Sequence, residues 1–228
     1  ILLKEKVFLM NILKKIIDLV LGDKIYLLFT PIGFNKGNLA ILKKNTLSQF
    51  IGTYEKNLIP YIVKNTKKII KLNPKPIIFD VGSSYGYYTL FFSKFKNCKV
   101  VSFEPDLKPF KILKKIQKRR KNLFLENSEI NEDNKKNCID FKSTISKFGQ
   151  PNLIKIDIEG YEKRLLLNNI EYFAQNKTVI IVEVHSLEIE DSLNNAFKSI
   201  GYKIEIVNND NKTLKIRNVE HNRWLILY

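Results

Sequence analysis

Cysteine is scarce in this 228-residue sequence. The two present, Cys98 and Cys138, are far apart and show no Cys-x-x-Cys or His-Cys spacing, so a zinc site has no ligand set to draw on. Two unpaired thiols in a reducing, cytoplasmic setting are the expectation. Long apolar runs are also missing. The most apolar stretch, Val7 to Phe29, is interrupted by Lys14, Lys15, Asp18, Asp23 and Lys24, and its uninterrupted pieces are too short to span a bilayer. Acids are few as well, 23 against 39 Lys and Arg, giving a formal charge of +16. With 44% hydrophobic and 27% charged residues, the composition excludes a disordered chain.

The positive charge is uneven. Residues 1–75 carry 14 lysines and only 4 acids, so most of the excess precedes Pro76. Such a surplus suits an anionic partner or reflects solvated surface lysines. Within it, Leu9, Ile12, Leu13, Ile16, Ile17 and Val20 recur at helical spacing, predicting an amphipathic helix that ends near Gly22. That helix packs on its own domain, on a second copy of the chain as a homo-oligomer, or peripherally on a membrane surface. The chain opens on Ile rather than Met, which leaves room for a targeting segment upstream.

Turn signals at Thr30-Pro31 and Gly33 to Gly37 precede a periodic stretch, Asn57 to Leu72, expected to be helical. From Pro76 the pattern changes to short Ile-, Val- and Phe-rich runs alternating with amphipathic segments. Strands are expected at Pro76–Val81, Lys99–Phe103, Leu123–Glu126, Leu153–Ile158, Thr178–Val184, Tyr202–Val207 and Arg223–Leu227. Helices are expected near Tyr87–Phe95, Leu107–Lys121, Tyr161–Tyr172 and Glu190–Ile200, with a polar surface loop at Asn131–Asn137. The fold class is α/β, a doubly wound, Rossmann-like parallel sheet over residues 76–228 behind an N-terminal helical extension over residues 1–75.

In such a sheet the ligand sits beyond the carboxyl ends of the strands, where the strand order reverses. Four of the expected strands end in acids: Asp80, Glu104, Asp157 and Glu183. A strand needs no carboxylate at its mouth for structural reasons, so four on one edge mark a site. The turn Asp80-Val81-Gly82-Ser83-Ser84-Tyr85-Gly86 permits a sharp reversal at Gly82 and a close helix start at Gly86. Ser84 stands where a dinucleotide fingerprint needs its second glycine, and Asp80 would repel a pyrophosphate. A cofactor carrying an ammonium and a sulfonium fits better. Glu104, at the end of the second strand, suits the two hydroxyls of a ribose. Together these predict an S-adenosylmethionine site.

These residues carry a resemblance to the FkbM family of methyltransferases. The matching text is Phe79-Asp80-Val81-Gly82 through Gly86-Tyr87-Tyr88-Thr89-Leu90, Ser102-Phe103-Glu104-Pro105, and Leu153-Ile154-Lys155-Ile156-Asp157-Ile158-Glu159-Gly160-Tyr161-Glu162. Glu183-Val184-His185 and His221-Asn222-Arg223-Trp224-Leu225 extend it to the end. The resemblance implies a class I methyltransferase fold of seven strands with the last antiparallel, acting on a hydroxyl of a sugar, glycan, lipid-linked sugar or small metabolite. Ser83-Ser84 departs from the Ala-Asn often found in the family. Adenine contacts are placed near Ser128 and Glu129.

Methyl transfer to oxygen requires in-line alignment and removal of the hydroxyl proton. Asp157, Glu183 and His185 are the candidate catalytic groups, with His185 titrating nearest the working range. Asp157, Glu159, Glu183 and His185 also offer oxygen and nitrogen donors suited to a divalent cation, but no metal is assigned. Glu162 is expected to face a Lys or Arg on its own helix. Leu107, Phe110, Leu113 and Ile116 are expected core contacts on a helix whose other face is basic. His221 is expected to be a turn residue. An RNA methyltransferase is the alternative that the charge suggests, although no Asn-Pro-Pro-Tyr or paired catalytic-cysteine motif is present. A non-enzymatic, membrane-associated binding protein of the same fold is the other.

Overall fold

The structure, a computed structural model, describes residues 19–21, 24–30, 32–44, 46–131, 137–209 and 221–228. The N-terminal amphipathic helix lies outside the described residues except for Leu19–Leu21, which are helical. Among the described residues, no helix is long and apolar enough to cross a membrane. The chain divides into two compact units, Ile1–Lys56 and Asn57–Tyr228.

In the smaller unit the turn signals at residues 30–37 connect two strands that sequence patterning did not distinguish. Strands β1 (Tyr26–Phe29) and β2 (Leu39–Leu42) pair antiparallel, and helix α1 (Leu47–Phe50) follows. At four residues each, these strands are too short for alternation to stand out. The connection is held from inside by Thr30, whose hydroxyl donates to the Asn35 carbonyl.

The larger unit opens with α2 (Ile59–Leu72), which buries Ile62, Asn65, Thr66 and Ile69 on one face. A seven-stranded sheet follows, built from β3 (Ile77–Val81), β4 (Lys99–Phe103), β5 (Leu123–Glu126), β8 (Leu153–Ile156), β9 (Val179–Val184), β10 (Ile204–Asn208) and β11 (Arg223–Leu227). A short parallel pair, β6 (Glu129–Ile130) and β7 (Cys138–Ile139), stands apart from it. The sheet order is β10-β11-β9-β8-β3-β4-β5. Strands β5, β4, β3, β8 and β9 run parallel, while β11 pairs antiparallel with both β9 and β10. The predicted seven strands and antiparallel last strand are both present. Every residue of β8 and β9 is buried, which is why their sequences read as continuous apolar runs.

The connecting helices are α3 (Tyr87–Phe92), α4 (Leu107–Gln117), α5 (Phe141–Phe148), α6 (Glu162–Asn168), α7 (Ile170–Gln175) and α8 (Leu187–Ser199). Helices α3 and α4 end at Phe92 and Gln117, short of the expected Phe95 and Lys121, and the others differ more. The single helix predicted over Tyr161–Tyr172 is two, broken at Asn169, whose side-chain amide donates to the Leu165 carbonyl and whose backbone leaves helical angles. Helix α8 begins at Leu187, ahead of Glu190, because the Ser186 hydroxyl accepts from the Ile189 N–H as an N-cap. Helix α5 was not anticipated. It starts at Asp140, whose carboxylate accepts from the Ser143 N–H at 2.7 Å, and ends at Gly149. On α4, Phe110, Leu113 and Ile116 enter the core as expected, whereas Leu107, in the first turn, is exposed.

Candidate active site

Strand β3 has β4 on one side and β8 on the other, so the strand order reverses there and a crevice opens beyond the strand ends. The chain leaves β3 through a tight turn. Gly82 and Gly86 have φ of +77° and +84°, and Ser84 between them adopts +48°. A side chain at Gly82 would meet the Asp157 carbonyl at 1.9 Å, so this glycine lets the turn press against the end of β8. At Gly86 the nearest obstacle is Leu113 of α4, at 2.4 Å. Gly86 therefore serves packing between helices α3 and α4.

Beside the turn lies a cavity of about 450 Å³, lined by Gly82, Ser84, Tyr85, Glu104, Pro105, Asp106, Leu107, Lys108, Pro109, Asp157 and Ile158. Glu104 is its buried acid. One carboxylate oxygen accepts from the Ser84 N–H at 2.6 Å, the other from the Asp106 N–H at 2.8 Å. Burial raises the Glu104 carboxyl above its ordinary range, and these two backbone donors oppose that rise. The strained Ser84 backbone is thus held by a charge-assisted bond.

The other predicted residues divide. Asp80 is enclosed and does not line the cavity; it accepts from the Thr89 hydroxyl at 2.5 Å, and Thr89 in turn lies 3.1 Å from Ser102 Oγ. Burial raises its pKa, opposed chiefly by the Lys155 ammonium. Ser128 is buried and Glu129 half-buried, and neither lines the cavity. Glu159 is exposed.

A second cluster forms where β8 and β9 end. Asp157, Glu183 and His185 bring one ligand-type atom each within 4.8 Å of one another. Lys155 Nζ lies 2.7 Å from Asp157 Oδ2 and 5.0 Å from the centre of the Tyr88 ring. Burial would raise the Asp157 carboxyl, but Lys155, joined by Glu183 and His185, outweighs it and the pKa falls below the ordinary value. Asn222 Nδ2, just ahead of β11, donates to Glu183 Oε1 at 2.5 Å. His185 Nε2 is 3.7 Å from that same oxygen. An ammonium and an amide therefore already engage two of its carboxylates.

Two expectations fail here for tertiary reasons. Glu162 does not face a cation on its own helix; it is fully buried, with Oε1 3.3 Å from His185 Nδ1. His221 is no mere turn residue, since its Nε2 lies 2.9 Å from Glu190 Oε2 while Arg223 Nη1 is 3.1 Å from the other Glu190 oxygen. Lys155 and Asn222 stand in the sequence motifs without an assigned role. Lys155 was the most accessible of these signals, being a charge inside a run buried on both faces.

The strand order, the antiparallel insertion of β11 between β9 and β10, and the acid-lined crevice define a class I methyltransferase fold. Solved structures of this fold superimpose on the chain. An FkbM methyltransferase from Methylobacillus flagellatus KT matches with a TM-score of 0.52 and 19% identity over 68% of this chain and 44% of its own. Fibrillarin from Aeropyrum pernix, crystallised with natively bound S-adenosyl-L-methionine, matches with a TM-score of 0.51 and 11% identity over 68% of this chain and 67% of its own. An rRNA methylase from Streptococcus thermophilus gives 0.51 and 12% over 76% and 96%. This chain therefore spans less than half the length of the FkbM structure, and the likeness at these identities is one of fold. No known family profile matches the sequence, and no curated protein matches it.

Proposed function

We propose that this chain is an S-adenosylmethionine-dependent methyltransferase that acts on a hydroxyl of a sugar, glycan, lipid-linked sugar or small metabolite, as a distant relative of the FkbM enzymes. The observation that carries this reading is Glu104, a buried carboxylate fixed by two backbone donors at the edge of a 450 Å³ cavity. Both oxygens keep lone pairs for ribose hydroxyls. Gly82 and Ser84 form the floor beside it. Asp157, held ionised by Lys155, supplies negative charge toward an ammonium or sulfonium. The donor set therefore fits the cofactor, which when bound supplies a methyl group on a positively charged sulfur.

The chain's own residues then have two tasks. Glu104 and the glycine turn orient the cofactor, and the cluster of Asp157, Glu183 and His185 at the neighbouring strand ends takes up the hydroxyl proton. Asp80 acts from behind, sharing the Lys155 charge. The test is mass spectrometry across a panel of glycans and hydroxylated lipids incubated with protein and cofactor. A gain of one methylene mass on a hydroxyl supports the reading. Transfer confined to nitrogen or carbon acceptors would contradict the hydroxyl assignment.

One observation favours RNA as a second reading of the acceptor. Lys111, Lys114 and Lys115 are exposed on α4 and Lys118 just past its end, and the first turn of α4 borders the cavity. RNA binding on that face would weaken steeply as salt rises.

A further inference from the structure

The three groups at the ends of β8 and β9 are not equally free to accept a proton. Asp157 Oδ2 is taken by the Lys155 ammonium, and Glu183, 2% exposed, accepts from Asn222. The His185 side chain is 22% exposed. Its two ring nitrogens face different surroundings: Nδ1 points to Glu162, and Nε2 points to the strand-end carboxylates.

Glu162 is the unusual partner. It is 0% exposed near the start of α6, and its Oε2 has no hydrogen-bond partner among the described residues. An enclosed carboxylate is expensive unless a donor or a positive charge offsets it. The adjacent cations on the helix are engaged elsewhere, Lys163 with Glu188 at 2.6 Å and Arg164 over the Tyr161 ring. The contact that remains at Glu162 Oε1 is the imidazole.

We propose that Glu162 is a positioning residue that accepts the Nδ1–H of His185, fixes that tautomer and leaves Nε2 as the site that takes the acceptor's hydroxyl proton. The inference rests on the methyltransferase reading for the origin of that proton. As the oxygen–carbon bond forms and the carbon–sulfur bond breaks, the proton passes from the hydroxyl to Nε2. The resulting imidazolium is stabilised through Nδ1–H by the Glu162 carboxylate and then releases its proton to water. This arrangement selects His185 over Asp157 as the base. A carboxylate behind a histidine does this elsewhere by holding the ring and favouring its charged form.

Facing the imidazole are Glu162 from α6, Glu183 from β9 and Asp157 from the end of β8, with Lys155 behind Asp157. The bond to Glu162 raises the His185 pKa above its ordinary value of 6.5 against the effect of burial, and the charges of Glu183 and Asp157 add to the rise.

The sequence contains two histidines, so proton–nitrogen correlation NMR of the full chain resolves both, with His221→Gln for assignment. The neutral His185 ring should carry its proton on Nδ1. In Glu162→Gln, whose neutral amide cannot compensate the imidazolium, the proton affinity of His185 should fall about tenfold. An Nε2-protonated ring in the wild type, or the same His185 midpoint in Glu162→Gln, overturns the proposal. The wild-type tautomer decides even where the variant does not fold. S-adenosylhomocysteine binding, measured separately on the wild-type sample, reports on the methyltransferase reading alone.

Discussion

Lys155 Nζ lies 2.7 Å from Asp157 Oδ2, with the lysine 1% and the aspartate 29% exposed. A lysine in the middle of a sheet buried on both faces keeps its charge through such a partner, and its field also reaches Asp80. Lys155→Met keeps the volume and removes the charge. It should lower the unfolding free energy in urea by about 3 kcal/mol, the usual scale for leaving a buried partner uncompensated. Adding Asp80→Asn should recover part of that loss, because it removes one stranded acid. No recovery would mean that Lys155 serves Asp157 alone.

The turn after β3 gives a sharper contrast. Gly82 and Gly160 share a left-handed backbone, with φ of +77° and +81°. A methyl group at residue 82 strikes the Asp157 carbonyl, whereas one at residue 160 meets nothing within 4 Å. Gly160→Ala should cost roughly 1–2 kcal/mol from backbone strain alone. Gly82→Ala should cost more in the same urea titration and also abolish cofactor binding. Equal losses in the two variants would show that the close approach of the turn to the end of β8 carries no weight.

Helix α5 offers a pH test. Hydrogen bonds from the Ser143 side chain and backbone hold the Asp140 carboxyl below its ordinary 3.8. Because its folded pKa is depressed, the stabilisation it brings is present above the unfolded value and is lost as pH falls through the folded one. Asp140→Ala should therefore destabilise by about 1 kcal/mol at neutral pH. The difference from the wild type should shrink as pH drops below that of a free aspartate. A difference that is independent of pH would show that the carboxylate is not the cap.

Much of this architecture was legible because burial on both faces leaves a direct mark. Ile77-Ile78-Phe79 and Val179-Ile180-Ile181-Val182 have no other reading as strongly, and the Arg223–Leu227 strand has the expected bounds. Of the four acids, Asp80 and Glu183 lie in β3 and β9, while Glu104 and Asp157 directly follow β4 and β8, so all four sit at one edge of four neighbouring strands. Where local patterning failed, long-range geometry decided. Asp80 and Glu104 look alike in sequence, yet one is enclosed against Thr89 and the other borders the cavity. Glu162 looks like an ordinary helix-surface acid until the fold brings His185, 23 residues away, against it. The Asp140-x-x-Ser143 cap of α5 is a local signal, masked in the sequence by the polar stretch that precedes it.

On the proposed reading Glu104 anchors S-adenosylmethionine in the crevice beside the glycine turn, and calorimetric titration with S-adenosylhomocysteine is the direct measurement of that claim. The wild type should give saturable one-site heat. Glu104→Ala should weaken it by about tenfold or more, the scale of losing hydrogen bonds to a charged group. A folded wild type that gives no saturable heat, or a Glu104→Ala variant that binds as tightly as the wild type, would contradict the claim.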